Sequence, residues 1–370
     1  MEKEELKKLF KKYSEGTCTE QEKALLENWY LQHNEQAPII NYKKINVAKN
    51  LIFLKLPGNE ANFLKIGIRL AAAAVLIGMV ISVTFALLNS GKVKPINKLV
   101  GDVPPGTNKA TLTIGTGQRI NLTDALNGTL ATKAGVTIAK NKPGQIMFSF
   151  TSAEHVDHTQ NAISTPAGGQ WEVKLSDGTQ VWLNSASRLT FPASFSKLQN
   201  RIVTLEGEGY FEVAKDTAHP FIVISGNQRV EVLGTHFNIN SYTDEPAIKT
   251  TLVQGRVKVS LLGVSSPVIL MPGDQSTVAG SAIHVESVNT EEALAWKNGY
   301  FRFNDENIKS TMRKLSRWYN IDVQYGLDIS TDGMNGKISR YKNISQVLKA
   351  LEATKTVHFK VEGRRVTVLK

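Results

Sequence analysis

Side chains that could bind a metal ion come together at one point of this 370-residue chain. Glu154, His155, Asp157 and His158 form a polar cluster with two imidazoles. A zinc-type site needs three or four ligands that converge on the ion. The cluster offers only two strong ligands, so this spacing favours a solvated loop, and we expect no metal site.

Two further motifs contain residues that could belong to a catalytic or phosphate-binding site, but the other residues or elements that such a site needs are missing. Glu206 and Glu208, in LEGEGYFEV, lie two apart on a predicted strand and therefore face the same side. They could be an acid pair, but no histidine or nucleophile accompanies them. The string GTGQ at 115–118 is glycine-rich like a phosphate loop, but no helix pattern follows it. We therefore expect structural roles, no cofactor and no metabolic enzyme.

The longest apolar stretch, LAAAAVLIGMVISVTFALL, runs from Leu70 to Leu88 without a charge. A helix of this length, at about 1.5 Å per residue, crosses a hydrocarbon core of about 30 Å. The pattern predicts one transmembrane helix over 67–89, in contact with membrane lipid, rather than a buried core helix or a signal peptide. Lysine and arginine are nearly balanced on its two sides, so charge only weakly favours a cytoplasmic N-terminus.

Charge and cysteine content exclude two classes of protein. The formal net charge is +11, but it is spread along the chain, and no basic block with interleaved aromatic residues appears. We therefore expect no direct binding of nucleic acid. The single cysteine, Cys18, precedes the predicted span. The part beyond the span must fold around ordinary apolar cores rather than disulfides.

Residues 1–66 have the pattern of a small all-α domain. Thr19 and Glu22 have the spacing of a capping box that starts a helix. One side of that helix is apolar and aromatic. Its residues are Leu25, Leu26, Trp29 and Tyr30. Periodicity alone leaves two interpretations open, a folded membrane-proximal anchor or a module that docks onto a partner.

After a predicted linker over 90–108, short alternating runs over 109–290 indicate an all-β domain. The pair Asp177-Gly178 between two such runs predicts a hairpin. A weak repeat relates PGTNKATLTIGTGQRINL at 105–122 to PAGGQWEVKLSDGTQVWL at 166–183. The repeat suggests stacked, solenoid-like strands. A sandwich whose hairpins merely share the same residue pattern is the alternative.

Residues 297–370 have the pattern of an α+β domain with two β-α-β units. In the first unit, Asn304 is the predicted N-cap of a helix with one apolar stripe. The stripe consists of Ile308, Met312, Leu315 and Tyr319. In the second unit, a helix over 344–351 precedes two strands that flank a turn at Glu362-Gly363. The whole chain is thus predicted to be a multidomain membrane protein with α, β and α+β parts.

The order of several segments over about 165–275 resembles the FecR family of transmembrane sigma-factor regulators. These segments are LSDGTQVWLNSASRLTFPASF, RIVTLEGEGYFEVAKDTAHPFIV, VEVLGTHFNINSY, TLVQGRVKV and LMPGDQ. The N-terminal LFKKYSEGTCTEQEKALLENW is similar to the cytoplasmic anti-sigma segment of members from Bacteroidota. The segment WKNGYFRFNDENIKSTMRKLSRWYNIDVQY resembles the STN-like (secretin and TonB N-terminal) domain that usually follows.

This resemblance implies a function and two protein partners. A member of the family binds an extracytoplasmic-function sigma factor at the inner membrane, with its N-terminus in the cytoplasm. It receives a periplasmic signal from the signalling domain of a TonB-dependent outer-membrane receptor, which often imports glycans or iron chelates. Leu25, Leu26, Trp29 and Tyr30 would then contact the sigma factor, because aromatic and leucine side chains dominate such interfaces.

The resemblance also suggests self-cleavage between Gly234 and Thr235, in VLGTHF. Attack of the Thr235 hydroxyl on the Gly234 carbonyl would break the Gly234–Thr235 amide bond and give an ester and a free Thr235 amine, and water would then hydrolyse the ester. His236 is the candidate base, since an unactivated hydroxyl is a weak nucleophile. The simpler interpretation is that Gly234 only makes a turn or a bulge.

Two other functions remain open from the residues. One is a periplasmic scaffold associated with an outer-membrane complex, which would not need an apolar-faced cytoplasmic helix. The other is a membrane-anchored carbohydrate-binding protein, suggested by Trp171, Trp182 and Tyr210. These aromatic residues alternate with apolar ones in predicted strands, so we expect them in a core.

Overall fold

The computed structural model describes residues 102–370, with gaps at 116, 134–135, 143, 151–158, 264–265, 328 and 330–331, together with Thr19 and Glu22. Residues 102–370 belong to one compact unit. The predicted span at 67–89 and the polar cluster within 151–158 lie outside the described residues. In the part that is described, no helix combines the length and the apolar character needed to cross a membrane.

The first part of this unit, the β-domain, consists of short strands, as the alternating runs predict. In chain order the strands are β1 Thr107–Asn108, β2 Thr111–Thr113, β3 Arg119–Asn121, β4 Gly128–Lys133, β5 Val136–Lys142, β6 Gln145–Phe150, β7 Gln160–Thr165, β8 Gly169–Lys174, β9 Gln180–Leu183, β10 Ser187–Pro192, β11 Arg201–Glu212, β12 Phe221–Ser225, β13 Gln228–Val232, β14 His236–Ser241, β15 Ile248–Gln254, β16 Val257–Leu261, β17 Val268–Leu270, β18 Asp274–Ala279 and β19 Ala282–Ser287.

The strands form two sheets that enclose one apolar core. Sheet I has the order β3-β2-β7-β10-β11-β12-β13-β16-β17. Sheet II has the order β4-β5-β6-β8-β9-β11-β14-β15-β18-β19. Side chains from both sheets belong to a single buried cluster, with Leu189 and Phe221 from sheet I and Val181 and Phe237 from sheet II. The architecture is a β-sandwich.

Strand β11 belongs to both sheets and changes from one to the other at Gly207. Its first half pairs with β10 and β12, and its second half pairs with β9 and β14. Gly207 has a φ of +89°. A Cβ atom at this position would lie 2.8 Å from the Cα of Ser187. The change of sheet therefore requires glycine at this position, because φ is positive and because a Cβ atom would be too close to the backbone of Ser187.

The predicted hairpin is confirmed, and the solenoid interpretation of the repeat is not. Asp177 accepts a hydrogen bond from the Thr179 amide, and Gly178 has a φ of +89°, in the turn that joins β8 to β9. The repeated hairpins β2–β3 and β8–β9 lie in different sheets, although β1 pairs in parallel with β8. The repeat therefore reflects two hairpins of similar sequence on opposite walls of one sandwich.

The C-terminal domain alternates strands and helices. Its elements are α1 Thr290–Leu294, β20 Tyr300–Glu306, α2 Ile308–Tyr319, β21 Asp322–Tyr325, β22 Met334–Ser339, α3 Ile344–Glu352, β23 His358–Glu362 and β24 Arg365–Leu369. Strands β20 and β22 form one antiparallel pair, and β24 lies between β21 and β23 in a second small sheet. Both β-α-β units predicted from the sequence are present.

The start of α2 differs from the prediction, while its apolar stripe is confirmed. Strand β20 continues through Asn304, and the N-cap is Asn307, whose side chain accepts a hydrogen bond from the Ser310 amide at 2.9 Å. Either asparagine fits the residue preference for an N-cap, but β20 pairs with β22 at Phe303 and again at Glu306, so the strand runs past Asn304. The stripe residues Ile308, Met312, Leu315 and Tyr319 are all buried.

Residues 102–108 are not a free linker. Val103 is 4% exposed and belongs to the core of the C-terminal domain, and Thr107–Asn108 is strand β1. The linker prediction over 90–108 was wrong for these last residues. Their few apolar side chains show no periodicity, so the sequence pattern could not reveal a docking that depends on distant residues.

Candidate functional site at the domain junction

The C-terminal domain is attached to the β-domain through paired charges on helix α2. Arg313 and Arg317 each donate a hydrogen bond to Glu245, both at 2.6 Å. Arg317 also donates to both oxygens of Asp244, at 2.8 and 2.9 Å. Its guanidinium lies 4.0 Å from the ring centre of Tyr242. These pairs fix the orientation of α2 against the loop between β14 and β15, because guanidinium–carboxylate hydrogen bonds are directional.

The pKa of Glu245 shows that this contact favours the ionised form of the carboxylate. Burial acts to raise its pKa, but the hydrogen bonds from Arg313 and Arg317 outweigh burial and hold the pKa below its ordinary value. Glu245 stays ionised at neutral pH. The two arginines are spaced i, i+4 and therefore share one helix face.

A second polar network lies deeper in the junction. The Glu208 carboxylate accepts hydrogen bonds from the side-chain amides of Asn184 at 2.7 Å and Asn238 at 3.0 Å. The Asn184 oxygen accepts from Arg340 at 2.8 Å, and the Asn238 oxygen accepts from the Trp296 indole at 3.1 Å. Two β-domain amides thus connect a β-domain carboxylate to side chains of the C-terminal domain.

Burial changes the proton affinity of both ionisable groups in this network. It raises the pKa of Glu208, and the hydrogen bonds from Asn184 and Asn238 offset only part of that change. Burial lowers the pKa of Arg340 to about 10, opposed by the charge of Glu208. The Arg340 guanidinium lies 3.8 Å from the ring centre of Trp318 and donates to the Trp296 carbonyl at 2.8 Å. Water is largely excluded here, so the interactions are strong and sensitive to geometry.

Aromatic residues complete the junction on its other side. The ammonium of Lys297 lies 4.1 Å from the ring centre of Trp182 and 4.5 Å from that of Tyr210. Lys297 also contacts Glu212 at 3.4 Å. Trp171 is 3% exposed and belongs to the sandwich core. The aromatic residues considered for carbohydrate binding are therefore used for packing and for holding Lys297.

A cleft of about 500 Å³ lies between the two domains beside these networks. Asn240, Thr251 and Gln275 line its β-domain side, and Arg302 and Lys314 line its C-terminal side. Within the described residues, no group of three His, Cys, Asp or Glu side chains could hold a metal ion.

The predicted acid pair is not confirmed as a pair on one side, because strand β11 changes sheet at Gly207, between its two members. Glu206 pairs with Arg188 in sheet I, and Glu208 pairs with Asn240 in sheet II. Glu206 is exposed, whereas Glu208 lies under the C-terminal domain. Gly115, Gly117 and Gln118 of the GTGQ string lie between β2 and β3, so a strand follows the string and no helix does.

Gly234 and Thr235 lie between β13 and β14, where their contacts are structural. A Cβ atom on Gly234 would lie 2.8 Å from the Cα of Lys215. Thr235 is 3% exposed, and its hydroxyl donates to the Arg256 carbonyl at 3.1 Å. Self-cleavage stays a prediction. Two fragments of the purified protein on a denaturing gel, and one band for Thr235→Ala, would support it, whereas one intact wild-type band would refute it.

The predicted sigma-binding residues Leu25, Leu26, Trp29 and Tyr30 lie outside the described residues. The capping box before them is present. The Thr19 hydroxyl accepts from the Glu22 amide at 3.2 Å, and the Glu22 carboxylate accepts from the Thr19 amide at 3.0 Å. The helix start predicted from the sequence is therefore confirmed.

Sequence reasoning missed the junction residues. The spacing of the two arginines of α2 was a usable signal. It places two cations on one helix face, and such a face contacts either solvent or an acidic surface. Asn184, Asn238 and Arg340 gave no signal, since isolated polar residues in strands and turns are mostly solvated.

Two family models match the sequence on either side of this junction. The model described as FecR protein matches residues 161–258, and the one described as FecR, C-terminal, matches residues 300–368. Residues 161–258 and 300–368 are therefore FecR-family regions. A search of curated proteins finds no match.

The chain is also similar to solved structures. Two crystal structures of a candidate anti-sigma factor from Parabacteroides distasonis ATCC 8503 are 29% and 28% identical to this chain. They cover 56% and 57% of it and 98% and 99% of their own chains, with a TM-score of 0.53 each.

The junction joins the two FecR-family matches. Glu208, Asp244 and Glu245 lie within the first, and Arg313 and Arg340 lie within the second. Trp296 and Lys297 fall in the segment between them. The polar networks are therefore the physical connection between the two FecR-family regions of this chain.

Proposed function

We propose that this protein is a single-pass regulator of the inner membrane that binds an extracytoplasmic-function sigma factor in the cytoplasm. Its periplasmic part receives a signal from a TonB-dependent outer-membrane receptor. The two FecR-family regions and the likeness to candidate anti-sigma factors support the regulatory role. The apolar run at Leu70–Leu88 supports the membrane span.

The junction is the observation that carries the relay part of this proposal. The C-terminal domain covers Glu208 and pairs with Asp244 and Glu245 through short, charged hydrogen bonds. A partner that displaces the C-terminal domain must break these bonds and expose a buried carboxylate. A partly opened junction would leave an ionised group buried without its partner, which is costly. The junction therefore favours a fully closed or a fully open arrangement over intermediate ones.

Sigma-factor capture is proposed for the N-terminal helix that begins at the Thr19–Glu22 capping box. The side of this helix that the sequence predicts to be apolar includes Trp29 and Tyr30, and truncation of a buried aromatic residue at an interface costs about 2 kcal/mol or more. A loss of that size weakens binding about 30-fold.

The test is co-purification of the co-expressed sigma factor with the full chain. We expect Trp29→Ala and Tyr30→Ala to lose most of the captured sigma factor. The matched control is Tyr325→Ala, which removes an aromatic residue that is 39% exposed in the C-terminal domain. Equal capture by all three variants, with the N-terminal helices still folded, would contradict the proposed interface.

The membrane arrangement has its own test. A reporter that is active only in the periplasm should be active when fused after Lys370 and silent when fused near Pro57. The reverse pattern would overturn the N-in orientation and with it the proposed regulatory path.

A further inference from the structure

Residues 102–106 lie against the C-terminal domain although they precede the β-domain in the chain. The Asp102 carboxylate accepts a hydrogen bond from the Ser345 hydroxyl at 2.7 Å and another from the Ser345 amide at 3.3 Å. The Val103 carbonyl accepts from the Ile344 amide at 3.0 Å. We call residues 102–106 the strap.

The strap supplies the cap that helix α3 lacks. The first amides of a helix have no partner within it and need acceptors from outside. Asn343 is the N-cap residue of α3, but its side chain makes no capping hydrogen bond. Asp102 and the Val103 carbonyl serve the first two amides instead. An aspartate is also well placed electrostatically at a helix N-terminus.

The strap also completes the apolar core of the C-terminal domain. Val103 is 4% exposed and belongs to the same buried cluster as Ile344 and Trp318. Gly106 lies so close to Trp318 that a Cβ atom there would be 2.7 Å from the indole ring. Without residues 102–106, this domain has an open helix end and a gap in its core.

We propose that the strap is the mechanical link by which the C-terminal domain holds the chain beside the predicted membrane span. The C-terminal domain and the strap then move as one body, and a displacement of that domain pulls on the chain that leads to the predicted span without passing through the sandwich. This inference rests on the proposed function, because it takes residues 67–89 to be the span.

The seating of the strap is tested first, on the full chain in a Cys18→Ser background. Val103→Cys should react with a maleimide about 100-fold more slowly than Lys109→Cys, which is exposed, because labelling requires local opening. Adding Asp102→Ala should remove most of that protection. Equal labelling rates for the two single cysteines would show that the strap is not seated, and would overturn the proposal.

The link itself is tested with a sigma-dependent reporter, induced by the receptor's signalling domain exported to the periplasm. The variants are wild type, a deletion of residues 297–370, and Asp102→Ala with Val103→Ser. We expect the deletion and the double variant to lose at least about 10-fold of the induced signal, a factor equal to about 1.4 kcal/mol, while uninduced expression stays low. If the deletion loses the signal and the double variant keeps it, the strap is not the link, and the proposed function stands. If the deletion keeps the signal, the relay through the C-terminal domain and the strap both fail.

A crosslinked variant guards against loss of folding. A short bifunctional thiol reagent should join Asp102→Cys to Ser345→Cys but not to Ala350→Cys, which lies farther along α3 and is exposed. We expect the joined protein to respond like wild type, because the strap and α3 already move together. A joined protein that no longer responds would show that signalling requires release of the strap, and would overturn the rigid link.

Discussion

The sandwich core and the domain junction are both buried, but they are built from opposite kinds of side chain. In the core, Phe211 stacks on Phe237 with ring centres 5.0 Å apart. In the junction, Glu208 and Arg340 are connected through the amide side chain of Asn184. Apolar packing is non-directional and tolerates small shifts, whereas hydrogen bonds weaken steeply outside a narrow range of distance and angle. The comparison indicates a stable platform and a joint that small movements can open.

The largest expected effect comes from the core. Phe237→Ala should lower the free energy of unfolding of the β-domain by about 3–5 kcal/mol, since Phe237 is fully buried. Urea unfolding followed by circular dichroism measures the loss. Ile202→Ala, at a residue that is 44% exposed on the same domain, should cost less than about 1 kcal/mol. Similar losses for the two variants would contradict the description of the core.

A smaller and more local effect is expected at the junction. Arg340→Met keeps an apolar stem beside Trp318 and removes the hydrogen bonds to Asn184 and the Trp296 carbonyl. We expect a loss of about 2–3 kcal/mol, confined to the attachment and stability of the C-terminal domain. Tryptophan fluorescence should then show a separate early unfolding transition. Arg365→Met, at an exposed position, is the control. A single unshifted transition for Arg340→Met would contradict the proposed difference in behaviour between the domain junction and the sandwich core.

The smallest effect is a pH dependence of the junction. Burial raises the folded-state pKa of Glu208 above its unfolded value of 4.5. Its contribution to stability is therefore fully present below pH 4.5 and is lost as the pH rises through the folded pKa. Relative to Glu208→Gln, the wild-type C-terminal domain should lose stability as the pH increases above 4.5.

Glu245 has the opposite sign and provides the internal control. The folded-state pKa of Glu245 lies below 4.5, so its contribution is present above pH 4.5 and is lost as the pH falls through the folded pKa. Denaturation midpoints measured across this range for Glu208→Gln and Glu245→Gln should therefore diverge from wild type in opposite directions. Parallel curves for all three proteins would show that the junction shifts the pKa of neither carboxylate.

The sequence predicts local features of this molecule better than distant ones. The hairpin at Asp177-Gly178, the capping box at Thr19 and Glu22, and the apolar stripe of α2 each depend on residues a few positions apart. Such patterns follow directly from backbone geometry.

Features that depend on distant partners could not be predicted in the same way. Nothing near Asp102 indicates that it caps a helix 243 positions later. Glu208 has the pattern of an outward-facing strand residue, and only the covering domain makes it buried. The same holds for the two repeated hairpins, whose sequences agree although their sheets differ.

The strap has a consequence for how the chain folds. Residues 102–106 are made before the sandwich, and helix α3, which they cap, is made after it. The strands of the sandwich can pair in between, because most of their partners are close in sequence. The C-terminal domain must instead close a loop of more than two hundred residues, which slows its completion. A chain that stops before α3 leaves Val103 uncovered, so the seated strap marks a chain in which α3 has been made and docked.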